Sequence, residues 1–157
     1  MKKEGIGIKS NVHYVMRNAK GRITWEHTSH NIDCKLHGVL VADHMSGGAD
    51  TLILYGHAGT GSGQDAQDTN LATHCDEART SITSKTQGSG NDANDVVYVF
   101  TLGAGICTAT LTEIGLFAAS AQATADLQFY DDTIDKVKGA GDSLTVTWTV
   151  TYGVSPT

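Results

Sequence analysis

The ten residues "LTVTWTVTYG", Leu144 to Gly153, constrain the fold more than any other stretch of this 157-residue chain. Leu144, Val146, Trp148, Val150 and Tyr152 take alternate positions, and Thr145, Thr147, Thr149 and Thr151 fill the places between them. Successive side chains on a strand point to opposite faces, so the pattern predicts one strand with an apolar face and a threonine face. A helix would scatter the same residues around its circumference, whereas β-branched and aromatic side chains fit a pleated, half-buried surface. The apolar face needs a core to pack on. The threonine face suits a solvated sheet surface and equally a contact with another subunit.

Other stretches extend the same theme. In "VHYVMRNAKGRITWEH", Val12, Tyr14 and Met16 alternate with His13, Val15 and Arg17, Asn18 and Gly21 suit a tight turn, and Ile23, Trp25 and His27 alternate on the return. "DTLILYG" predicts a short strand buried on both faces, and the Gly-rich "HAGTGSGQDAQDTN" a surface loop. "EARTSITSKTQ" reads as a polar alternating strand. "VVYVFTLGAG", "LTEIGLFAAS" and "LQFYDDTIDKV" add further strands, while "KLHGVLVADHMSGG" suits a short helix closed by a glycine pair. Seven or eight strands with turns this frequent predict an all-β fold, a β-sandwich or jelly roll with at most one short helix. Residues 1–10 are expected to form an extended N-terminal arm, and residues 11–157 a single β-sandwich domain.

Composition narrows the partners. Charged residues are only 18% of the chain and apolar residues 39%, so the surface is hydroxylated more than charged. The net charge is −6, and the 11 Lys and Arg are scattered, which argues against a nucleic-acid partner. No stretch approaches the length of a membrane-spanning helix, and the N-terminus lacks the apolar segment of a secretion signal. Folding in the cytoplasm with no membrane partner is the expectation. Cys34, Cys75 and Cys107 are odd in number and form no CxxC pair, so they are expected as reduced thiols.

Each constellation that could carry chemistry has a plainer reading. "GTGSG", Gly59 to Gly63, follows an apolar run as a phosphate loop would, but no Lys-Ser/Thr closes it. His27, His30, Cys34 and His37, with His44 soon after, have the donor types of a zinc site. His27 and His30 would point to opposite faces of a strand, so surface or interface histidines are expected. Asp131 and Asp132, with Asp135 nearby, cannot pair as acid and base on adjacent strand positions, and a solvated strand end is expected. No "GxSxG" elbow is present. No catalytic residue, cofactor or metal is expected.

Three stretches in order, "VHYVMRNAKGRITWEHTSHNI", "YGHAGTGSGQDAQDTNLATHCDEARTSITS" and "NDVVYVFTLGAG…LTEIGLFAAS…GDSLTVTWTVTYG", resemble a group of tailed-bacteriophage virion proteins. In that group a hairpin leads to a helix, then a strand ending in a "GTGT"-like loop, an "L…E" segment, an "ITEAGLF" strand and a final "DTLTVTWTVT" strand. Here "LTEIGLF" replaces "ITEAGLF", and "TNLATHCDEA" carries a Cys and extra acids where the group has "T-A-L-x-x-E".

The resemblance implies a non-enzymatic structural protein of the virion. Glu113 is then a structural carboxylate accepting backbone N–H or arginine hydrogen bonds, because a buried carboxylate without partners is costly. Gly115 allows close approach of its neighbours and Trp148 packs inward. A capsid decoration, or cement, protein is expected first: it would clamp neighbouring major capsid subunits through many weak contacts and strand addition. Its contact residues would be Lys2, Lys3, Ile6 and Ile8 of the arm and Thr145, Thr147, Thr149 and Thr151 of the final strand. The implied partners are the phage major capsid protein or other virion proteins, and further copies of the chain in a dimer or trimer. A tail-fibre, baseplate or adaptor subunit is the alternative within the virion. A carbohydrate- or metal-binding module is the alternative outside it.

Overall fold

The stretches with the clearest alternation lie side by side in the computed structural model, which describes residues 7–48, 52–75 and 77–154. In chain order these residues form β1 (Gly7–Arg17), β2 (Ile23–His30), β3 (Ile32–Asp33), the helix α1 (Lys35–Met45), β4 (Tyr55–Gly59), β5 (Thr80–Ser81), β6 (Ser84–Gln87), β7 (Asp95–Leu102), β8 (Thr110–Leu111), β9 (Glu113–Phe117), β10 (Leu127–Asp131), β11 (Lys136–Val137) and β12 (Ser143–Val154). The first sheet has the order β2-β1-β12-β7-β6 and the second β3-β10-β9-β4-β5, with β8 and β11 forming a separate ribbon.

The long final strand is central because it has two long partners. Val12 and Tyr98 flank Trp148, and Tyr14 and Phe100 flank Val146, so apolar positions of all three strands fall on one face. That face meets Ala58, Ile114, Leu116 and Phe129 of the second sheet in one buried cluster. Each large side chain so buried contributes about 1.5–3 kcal/mol. The architecture is an all-β sandwich.

The second sheet is covered on its other face too. All five residues of β9 and all five of β10 are buried. Ile114 and Leu116 enter the main core. Phe117 points the opposite way and packs with Leu71, Leu127, Tyr130 and Cys34 beneath the surrounding loops. The helix α1 packs against β10, with His37 as its buried residue and Leu40 against the main core. The His37 ring lies 4.3 Å from that of Phe129. Gly47, at φ 82°, follows the last turn in the left-handed conformation that glycine adopts most readily.

Several expectations need correction. Of the arm predicted over residues 1–10, Gly7–Ser10 belong to β1 and pair with β12; residues 1–6 lie outside the described residues. The apolar run "DTLILYG" is not a strand buried on both faces. Leu52 and Leu54 are each 44% exposed, and β4 begins only at Tyr55. That strand then continues through His57, Ala58 and Gly59, all buried, where a surface loop was expected. "EARTSITSKTQ" is two short strands in different sheets. Ile82 N–H donates to the O of Leu54, just before β4 of the second sheet, at 2.8 Å, and Thr83 N–H to Val99 O of the first at 2.8 Å. The chain changes sheets between those two residues.

Candidate functional site

Glu113 opens β9 and is fully buried. Its Oε1 accepts N–H groups from Gly61 at 2.9 Å and Thr73 at 2.8 Å, and its Oε2 accepts that of Ala72 at 2.9 Å. Gly61 lies in the "GTGSG" loop, and Ala72 and Thr73 in "TNLATHCDEA". One carboxylate therefore gathers three segments far apart in sequence. The neighbouring Thr112 Oγ1 donates to Gly61 O at 2.6 Å. A Cβ on Gly61 would stand 2.6 Å from Glu113 Oε1, so this approach requires glycine. With both oxygens occupied by fixed amides, Glu113 works as a clamp.

Arg79 fastens the same cover further along. Its side chain is buried, donates to Asp126 at 2.6 Å, Ala119 O at 2.8 Å, Asn70 Oδ1 at 3.0 Å and Thr124 O at 3.0 Å, and lies 3.6 Å over the Phe117 ring. A planar guanidinium suits this use, satisfying several acceptors while stacking on an aromatic face. Nothing in the sequence pattern singled Arg79 out.

Asp131 corrects another expectation. It is 1% exposed rather than solvated, and accepts hydrogen bonds from Tyr14 Oη at 2.5 Å, from Ser29 Oγ, and from Thr133 N–H at 2.8 Å. Burial and the Asp131 charge raise the Tyr14 phenol well above its ordinary value. Asp132 and Asp135 are exposed, as a strand end would have them.

The other expected contact residues divide. Lys2, Lys3 and Ile6 lie outside the described residues. Ile8 pairs with Tyr152 and packs against the chain's own core. Thr145, Thr147, Thr149 and Thr151 lie on the first sheet's outer face, half-buried between β1 and β7. Gly115 is buried, and a Cβ there would meet Leu127 Cδ1 at 2.6 Å. Trp148 is buried in the main core.

Among the described residues the histidines do not converge on a metal site. His27 is exposed and stacked on Trp25, His30 is exposed, and His37 is buried with its Nε2 3.0 Å from Tyr152 Oη. Burial lowers His37 to about 4. Cys34 precedes α1, its thiol pushed up to about 12, chiefly by burial. Among the described residues a different trio comes together: Cys75, Glu77 and Cys107, whose ligand atoms lie within 4.8 Å of one another. They line a cleft of about 250 Å³ with Thr60, Thr73, His74, Thr108 and Ala109. Sequence reading missed this trio because the two cysteines lie in separate loops, and only the packing of one sheet on the other brings them together.

Comparison of the chain with protein-family models, with curated proteins and with solved structures finds no match.

Proposed function

We propose that this chain is a non-enzymatic structural protein of a tailed-phage virion, and within it a capsid decoration protein that binds across major capsid subunits. The observation that carries the proposal is the outer face of the first sheet. Its three central rows run Glu26–Val15–Thr145–Thr101, Thr28–His13–Thr147–Val99–Ser84 and His30–Asn11–Thr149–Val97–Thr86. Directly paired residues share a face. Across these rows the one carboxylate is Glu26, which lies 2.8 Å from His13, and there is no Lys or Arg. A face on which nine of these fourteen residues are threonine or valine carries little charge to desolvate and can be covered by another protein repeatedly across a lattice.

The buried polar groups support the same function. Glu113, Arg79 and Asp131 are buried charged side chains of types that could suggest chemistry, and internal hydrogen bonds occupy all three. Two of the three stretches that carry the phage resemblance meet at Glu113, so that part of the motif reads as scaffold.

The test is to mix purified protein with phage heads that lack it and image them by cryo-electron microscopy. Density at regular lattice positions, with the threonine face against the shell, is the expected result. Bare shells would overturn the capsid assignment, and density confined to the tail or its vertex would move the protein there.

A further inference from the structure

We propose that Cys75, Glu77 and Cys107 form a binding site for a thiophilic divalent cation, Zn²⁺ by chemical preference, that ties the loop after β4 to the loop after β7. The proposal is independent of the virion function. Two sulfurs and a carboxylate oxygen within 4.8 Å of one another supply three corners of a tetrahedron. Zinc–sulfur bonds of about 2.3 Å place two tetrahedral sulfurs roughly 3.8 Å apart. Binding therefore needs only a small closure of the trio. The fourth corner opens on the cleft, where the residues beside it include Thr60, Thr108 and His74.

The loops hold both cysteines in place. Cys75 N–H donates to Ala58 O at 3.1 Å. The Cys75 carbonyl accepts from Gln122 Nε2 at 2.8 Å and lies 3.2 Å from His57 Nε2. Cys107 has φ 51°, the one non-glycine residue with positive φ among the described residues. A side chain in this conformation costs free energy, and such positions cluster where geometry serves a site. The turn that imposes it is tied by Gly105 N–H to Ala140 O at 2.8 Å and Ile106 N–H to Gly103 O at 3.2 Å.

A buried cation stands behind the trio. Lys138 is 1% exposed and donates from Nζ to Gly103 O at 2.8 Å. Burial lowers it, and the negative charges of Cys107, Asp142, Glu77 and Cys75 oppose that. Binding releases the two thiol protons to solvent as the metal–sulfur bonds form. The Cys107 thiol also shares a hydrogen bond with Cys75, so the two sulfurs already face one another.

The experiment titrates the reduced, full-length chain with Co²⁺ and then Zn²⁺. A thiolate-to-cobalt charge-transfer band with the intense d–d bands of a tetrahedral site is expected at one equivalent, lost on adding Zn²⁺, and Zn²⁺ alone should raise the unfolding temperature. C107S should abolish the charge-transfer band. E77Q, half-exposed and tolerant of change, should weaken Co²⁺ binding by at least about tenfold, the loss typical even of an outer-shell partner. C34S should bind as the parent does. Absence of the band in the folded parent chain, or its persistence in C107S, overturns the proposal. So does loss of two thiols to a Cys75–Cys107 disulfide in a chain whose reduced form binds no Co²⁺.

Discussion

Glu113 resolves a conflict visible in its own neighbours. "LTEIGLF" places a carboxylate where burial is unavoidable, and a buried charge demands hydrogen-bond partners. That demand is legible in the sequence. The partners are not, because Gly61, Ala72 and Thr73 donate through the backbone, and side-chain identity says nothing of where an N–H points. Replacing Glu113 with Gln tests the clamp. The amide oxygen can keep the two donors now on Oε1, but its NH₂ would then face the Ala72 N–H, donor against donor. E113Q is expected to lose about 2–4 kcal/mol, combining a charge-assisted bond with an unsatisfied donor. A urea titration would show a lower midpoint at unchanged slope. An unchanged midpoint would mean that the loops hold without the carboxylate. Asp131 shows the opposite case. Asp131 is the last residue of β10, which is buried throughout, whereas Asp132 lies just past the strand and is exposed.

At the scale of elements, strands with one solvated face were legible and strands buried twice were not. β1, β7 and β12 announce themselves by alternation. β4 and β9 are covered on both sides, so their small and polar residues, His57, Gly59, Glu113 and Gly115, carry no period. Gly115 is where this matters most, because the added Cβ of Ala would meet Leu127 Cδ1 at 2.6 Å and Leu71 Cδ2 at 3.1 Å. G115A is expected to cost about 1–3 kcal/mol by overpacking the cover on β9. Thermal unfolding measures it, and a neutral result would show that the cover shifts freely. The docking of α1 has its own signature in pH. His37 is held at about 4, against its ordinary 6.5, by burial. Between those values the unfolded chain binds a proton that the folded chain refuses. Stability is therefore fully present above 6.5 and falls as pH drops toward 4, by about 3 kcal/mol in all. Asp33, raised to about 6 by burial, works in the opposite sense across an overlapping range. The His37 contribution is isolated by subtracting the stability profile of H37F from that of the parent. The difference should rise from pH 4 to 6.5, and a flat difference would refute the burial of a neutral imidazole.

For the whole molecule, the two sheets end up with unequal outer faces. Loops held by Glu113 and Arg79 cover the second sheet, while the first is left with its rows rich in threonine and valine. This asymmetry could be read from β12 only in part. Its threonines identify an outer face, but the matching residues of β1 and β7 depend on register, which the sequence leaves open. If the bare face docks on a capsid shell, a charge added at its centre must be desolvated on binding. Thr147 sits in the middle row between His13 and Val99. T147K should fold normally, since substitutions on a solvated sheet face span only about 1 kcal/mol. Its occupancy on phage heads should fall by at least about tenfold, and each tenfold step corresponds to about 1.4 kcal/mol of binding. T147V keeps the shape without the charge and should decorate heads as the parent does. Quantitative sedimentation of protein with heads reads both variants. Equal occupancy by folded T147K would show that the contact lies elsewhere on the molecule, because a lysine that an interface covers must be desolvated on binding.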